Sequence, residues 1–133
     1  MNIKLKVVEG YIYSELGESR KAFIKFSIDN SRLYVISTFV PEEHRGKGVA
    51  TELMFKLLEF ATTNGLEIVP LCSYAVSFFI KNREKRALLA SPFKNMSDEE
   101  LSSYYEKRLR EEETRRSLRL EEERGTEFNC PIC

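Results

Sequence analysis

Between Val40 and Val49 the spacing of apolar residues changes from every second position to every third and fourth, and this change limits the folds open to the chain. Upstream lie three β-like runs, Tyr11–Leu16, Lys21–Ile28 and Arg32–Val40, separated by the turn clusters Gly17-Glu18-Ser19 and Asp29-Asn30-Ser31. In the second run Ala22, Ile24, Phe26 and Ile28 share one face, opposite Lys25 and Ser27. The third is apolar on both faces, Leu33, Val35 and Phe39 against Tyr34, Ile36 and Val40, which predicts a central strand covered on both sides. Downstream, Ala50, Leu53, Met54, Leu57, Leu58 and Ala61 form the single stripe of an amphipathic helix, stopped at Asn64-Gly65. Glu67–Leu71 then reads as a short strand parallel to the third run. Ser73 is placed to cap a second helix through about Asn82, with Val76, Phe79 and Ile80 inward. With a further strand from the alternating Met1–Lys6, residues 1–90 make one α/β unit: a mixed, mostly antiparallel sheet with flanking helices.

Beyond Ser91-Pro92 the composition shifts. Ser97-Asp98-Glu99-Glu100 is a capping box, and 17 of the 28 residues from Ser97 to Arg124 are charged, so a charged C-terminal helix occupies residues 91–125 and ends at Gly125. Its expected supports are the pairs Glu106–Arg110, Glu111–Arg115 and Glu112–Arg116 and a narrow apolar seam of Leu101, Tyr105 and Leu109. Such a helix is either a solvated face or an arm for homodimerisation or partner docking. Residues 126–133 form a tail containing Cys130-Pro131-Ile132-Cys133.

Charge excludes some functions. Residues 1–90 carry 13 basic and 10 acidic side chains (+3) and residues 91–133 carry 8 and 11 (−3), so no global field points to nucleic acid. The longest apolar stretch, near Leu71–Ile80, is interrupted by Ser73 and Ser77 and falls short of the roughly 20 residues that span a bilayer. Met1–Lys6 lacks the apolar run of a secretory signal, and three cysteines make no disulfide framework, so no membrane association and a cytoplasmic location are expected.

The stretch most informative about chemistry is Pro41-Glu42-Glu43-His44-Arg45-Gly46-Lys47-Gly48-Val49-Ala50-Thr51, between the central strand and the amphipathic helix. Amides of residues 46–51 would point out of the helix's first turn, without intrahelical acceptors and backed by the positive end of the dipole. That geometry binds phosphate oxygens, and Arg45, Lys47 and the Thr51 hydroxyl add to it. The P-loop spacing is absent, because Pro stands at 41 and Lys47 is followed by Gly48; a dinucleotide G-x-G-x-x-G would need Gly where Thr51 stands. The two glycines would also serve a plain tight turn.

Arg45-x-x-Gly48-x-Ala50 resembles the R/Q-x-x-G-x-G/A pyrophosphate motif of the GNAT superfamily of acyl-CoA-dependent acetyltransferases, whose core order is also meander, loop, helix, strand, helix. Ile68-Val69-Pro70-Leu71-Cys72-Ser73-Tyr74-Ala75, followed by Phe79-Ile80, resembles the short, single-module branch, the N-acetyltransferase domain-containing protein 1 group. The resemblance covers about residues 8–90. It implies acetyl-CoA as the donor, its pyrophosphate on the amides of Arg45, Gly46, Lys47, Gly48, Val49, Ala50 and Thr51. It also implies a pantetheine arm paired with the backbone of Phe39 and Val40 where the strands splay. Many larger GNAT enzymes carry Asn, then Ala three residues on and a Tyr acid seven on; here these positions read Cys72, Ala75 and Phe79, and the usual acid is missing.

Cys72 and Tyr74 are the candidate catalytic residues. Cys72 sits between a strand and a helix start, where the dipole can favour a thiolate that takes the acetyl group as a thioester. Alternatively an amine attacks bound acetyl-CoA directly while Tyr74 or Cys72 protonates the leaving sulfur, with the Val40 amide polarising the carbonyl. Cys72 also reads as a small buried hydrophobe and Tyr74 as a packing aromatic. His44 is a base, a phosphate contact or a solvated loop residue. Cys130 and Cys133 are half a zinc site, which a dimer or a partner would complete, or a redox disulfide, or a frayed tail; no metal is assigned. The expected function is acetyl transfer from acetyl-CoA to a small amine or a protein lysine. The alternative is a non-catalytic acyl-CoA sensor or adaptor whose charged helix docks a partner.

Overall fold

The structure is a computed structural model that describes residues 6–8, 10–15 and 21–124. Strands β1 (Lys6–Val8), β2 (Tyr11–Glu15), β3 (Lys21–Asp29) and β4 (Arg32–Phe39) lead into helix α1 (Val49–Thr63), strand β5 (Glu67–Pro70), helix α2 (Ser73–Lys81) and the long helix α3 (Asp98–Arg124). The sheet order is β1-β2-β3-β4-β5, antiparallel throughout except for the parallel β4–β5 pair. This is the mixed, mostly antiparallel α/β architecture that the sequence implies. Most of Met1–Lys6, the Gly17-Glu18-Ser19 turn and Gly125 lie outside the described residues.

The β3–β4 hairpin closes through Asn30 and Ser31, both at positive φ (48° and 64°), the turn whose twist suits right-twisted strands. Ile12, Ala22, Ile24, Phe26, Leu33 and Val35 then present one continuous apolar face to α1. Helix α1 answers with Val49, Leu53, Met54, Leu57, Leu58 and Ala61. Val49 replaces Ala50 at the start of the expected stripe, because the helix begins at Val49 with that side chain turned into the core, which leaves Ala50 at the cleft described below.

The expectation that β4 is covered on both sides holds only as far as Val35. The β3–β4 register skips Ile36, and pairing with β5 ends at Val35–Pro70; Ile36 and Phe39 are 37% and 44% exposed. A bulge bends a strand and adds twist, so β4 leaves β5 at this point.

Helix α3 is not a solvated arm over its first half. The capping box forms as read, Glu100 N–H to Ser97 Oγ at 3.1 Å and Ser97 N–H to Glu100 Oε1 at 3.0 Å. The expected seam is inward, Leu101 buried and Tyr105 and Leu109 half-buried, and beside it Tyr104, Arg108 and Glu112 dock on α2 and the end of β5. Among the expected pairs, Glu112 is engaged elsewhere: it accepts from Ser73. The one intrahelical bridge recorded among the described residues of α3 is Arg108–Glu111, 2.9 Å. Ser73, the expected cap of α2, is instead its first residue; Cys72 is the N-cap and makes no side-chain cap bond.

Leu101→Ala should therefore lower the stability of the whole domain by about 2–5 kcal/mol, the range for deleting a buried leucine side chain, measured as a shift of the urea midpoint. A free arm would leave the midpoint unchanged.

Candidate functional site

The turn from β4 to α1 is built by Pro41–Arg45. A short 3₁₀ turn, Glu42–His44, is closed by His44 N–H to Pro41 O (2.9 Å) and Arg45 N–H to Glu42 O (3.2 Å). Arg45 Nε then reaches back to Val40 O at 2.9 Å, so this guanidinium fixes the strand end as well as lending charge to the turn. Gly46 and Gly48 both take left-handed φ (78° and 79°), a region that costs other residues roughly 1–2 kcal/mol, and a Cβ on either would meet nothing within 4 Å. Glycine is thus required by conformation, and the surrounding space is open.

The first bond linking this turn into the helix runs from Glu52 N–H to Gly48 O, 3.0 Å, so the amides of Val49, Ala50 and Thr51 precede the helical ladder. They border an open cleft of about 220 Å³ lined by Val40, His44, Arg45, Gly46, Gly48, Val49, Ala50, Thr51 and Tyr74. Most of the residues expected to hold the cofactor meet here. Lys47 is exposed and outside the lining; Phe39 lies at the end of β4, stacked on Phe23 at 5.5 Å between ring centres. Tyr74 joins from α2, its hydroxyl sharing a hydrogen bond with Thr51 Oγ1 at 3.2 Å. Burial pushes its phenol above the ordinary range, against a smaller lowering by Thr51, so it stays neutral.

Cys72 lies behind this cleft at the fork of β4 and β5. It is 5% exposed, and its Sγ is 3.5 Å from Thr38 Oγ1, two residues before Val40. Loss of water pushes the thiol above its ordinary value; the Thr38 hydrogen bond opposes this and the charge of Glu112 adds to it. The dipole argument from sequence pointed toward a thiolate; burial acts the other way and favours the neutral thiol.

Three contributors were not legible as site residues: Thr38, and from α3 Arg108 and Glu112. Arg108 Nε donates to Leu71 O; Glu112 Oε2 and Oε1 accept from Ser73 N–H (2.8 Å) and Ser73 Oγ (2.5 Å). Tyr104 adds a bond to Pro70 O at 3.1 Å. The only available signal was the four-residue spacing of Tyr104, Arg108 and Glu112, hidden in a run where most residues are polar. Among the described residues no group of three His, Cys, Asp or Glu could hold a metal ion, and no helix is long and apolar enough to cross a membrane. Cys130 and Cys133 lie outside the described residues.

Iodoacetamide should alkylate Cys72 at pH 7 at least about tenfold more slowly than an exposed cysteine, its rate profile displaced to higher pH, followed on the peptide that contains it. Alkylation at neutral pH as fast as that of a free thiol would contradict the burial described.

A solved structure with this fold is the solution NMR structure of a GCN5-like candidate N-acetyltransferase from Staphylococcus aureus, 27% identical, with a TM-score of 0.57 over 67% of this chain and 89% of that one. The family described as GCN5-related N-acetyl-transferase matches residues 10–88, more than half of the chain and the whole span from β2 through α2. With the strand fork, the glycine turn and the amide-lined cleft all inside that span, the chain belongs to the GCN5-related N-acetyltransferase family.

Proposed function

We propose that the protein transfers an acetyl group from acetyl-CoA to an amine, a small molecule or a protein lysine, as a member of the short, single-module branch of the family. The carrying observation is the cleft at the start of α1, where amides before the helical ladder, the dipole and the charge of Arg45 converge beside an edge of β4 that β5 does not pair.

The residues present fit the donor. A diphosphate suits the amides of Gly46–Thr51, and the open space around both glycines leaves room for its oxygens. Lys47 and Arg45 balance its charge, and Tyr74 flanks the cleft with a neutral hydroxyl. The strand edge at Phe39 and Val40 suits the amides of a pantetheine arm, although Val40 O is already taken by Arg45 and only the Val40 amide is left to polarise an acyl carbonyl. Acetyl-CoA supplies the activated thioester. Cys72, held neutral, is suited to act as an acid: its proton passes to the sulfur as the carbon–sulfur bond breaks and the carbon–nitrogen bond forms, and it regains a proton from the ammonium produced. The opposite assignment, Cys72 as acyl carrier, needs a thiolate that burial disfavours.

A second reading, a non-catalytic acyl-CoA sensor whose helix α3 docks a partner or a second copy, is favoured by Phe79. This fully buried side chain has no proton to give at the position where larger relatives carry their acid.

Coenzyme A should stabilise the protein against heat, by about 2.7 kcal/mol at a hundredfold excess over Kd, and Gly48→Glu should raise Kd at least about tenfold by placing a carboxylate against the diphosphate. No saturable heat in calorimetry with the wild type would end the acetyl-transfer reading. Acetylation of an amine panel, with intact mass of the enzyme after turnover, assigns Cys72. Product, no stable adduct and a kcat at least about 100-fold lower in Cys72→Ala at unchanged KM for acetyl-CoA are expected. An adduct lost in Cys72→Ser would make Cys72 the carrier, and binding without product would favour the sensor.

A further inference from the structure

Three polar side chains on the docked face of α3 end on the turn that carries Cys72. Tyr104 holds Pro70 O, Arg108 holds Leu71 O, and Glu112 takes both the N–H and the hydroxyl of Ser73. These residues, spaced four apart, lie outside the family match at 10–88, so they are an addition to its core. Cys72 itself is skipped, although its neighbours on both sides are held.

We propose that Glu112 is a positioning residue for the acetyl-transfer site, which pins the Leu71–Ser73 turn and sets a fixed negative charge beside the Cys72 thiol. The proposal rests on the acetyl-transfer reading for its catalytic consequence, but the coupling of Glu112 to Cys72 is a property of the protein alone. Helix α2 has only nine residues and its N-cap supplies no side-chain acceptor, so its first amide needs a partner from elsewhere, and a carboxylate at a helix start is the favoured one. A glutamine would keep one acceptor oxygen in place of the carboxylate pair; what it lacks is the charge.

The groups that act on Cys72 are few among the described residues. Strand β4 gives the Thr38 hydroxyl, α2 the backbone amides of Tyr74 and Ala75 and the Tyr74 phenol, and α3 Tyr104 and Glu112, while Arg108 and Glu111 act on Tyr104. Arg108 carries the opposite charge, but Glu111 balances it at 2.9 Å. Glu112 is thus the charge that acts on the thiol, and it acts in the same direction as burial by disfavouring the thiolate.

The test is Glu112→Gln in the full chain, with far-UV circular dichroism to confirm folding. Alkylation of Cys72 by iodoacetamide, read on its peptide across pH, should run faster at pH 7 by on the order of threefold, the profile moving to lower pH, while Glu112→Asp stays closer to wild type. Acetyl transfer should lose kcat with KM for acetyl-CoA unchanged, because the phosphate cradle is on α1. An unchanged alkylation profile in a folded Glu112→Gln variant overturns the proposal, and so does a rate raised equally at every pH, which reports loosened packing around Cys72 and no charge coupling. Should coenzyme A fail to bind at all while the profile still shifts, the acetyl-transfer reading falls and the charge coupling stands. If Glu112→Gln does not fold, hydrogen exchange of the wild type decides: the Ser73 amide should be protected like the interior of α2, and exchange as fast as an open helix start overturns the proposal.

Discussion

A single carbonyl governs the layout of the functional half of the molecule. Val35 O accepts from both Leu71 N–H and Cys72 N–H, each at 3.1 Å, and in doing so ends the parallel pairing of β4 with β5. Beyond it β4 runs on through Phe39 paired only with β3, the chain after β5 turns into α2, and a wedge opens between them. The register skip at Ile36 falls at the same level, so the bulge and the shared acceptor bend the two strands apart together. The amides at the start of α1 and the strand edge border this wedge because Val35, opposite Pro70, is the last residue of β4 that pairs with β5.

The charges around the wedge are sorted by burial. Arg45 and Lys47 remain exposed at the mouth, where an anionic ligand would meet them, and Arg45 is also anchored on Val40 O. Deeper in, loss of water favours the neutral forms of the Cys72 thiol and of the Tyr74 and Tyr104 phenols, with Glu112 and Arg108 the charges beside them. An exposed positive rim leading to a poorly hydrated floor suits a reaction in which a charged carrier docks outside and a thioester reacts within.

Most of the sheet and α1 was legible because those elements bury one apolar face, and a period of two or of three to four marks that face directly. The turn into α1 was legible for another reason: two glycines, both at positive φ, and basic residues at a helix start leave a local signature. Helix α3 was legible only in part, for the converse reason. Its cap and the inward Leu101, Tyr105 and Leu109 were readable, but Tyr104, Arg108 and Glu112 dock through hydrogen bonds to backbone groups, and no hydrophobic period reveals a partner of that kind. Cys72 was placed correctly at a helix start, but its protonation depends on packing from β4, α2 and α3 at once, which no local pattern contains.

Helix α2 is gripped at both ends by ions that the family core does not supply in full. At its far end Arg86 donates to Phe79 O at 2.8 Å and Ile80 O at 3.1 Å, the place where a cation complements a helix, and Arg86 is itself held by Asp98 at 2.6 Å. That pair, with Arg83, keeps the Asp98 carboxyl below the usual range, the hydrogen bond from Arg86 being the largest cause. Asp98 and Glu112 belong to the same helix, so α3 works as a strut braced across both termini of α2. Cutting the chain before Ser97 would release both braces at once and leave the nine-residue α2 seated by its apolar face alone.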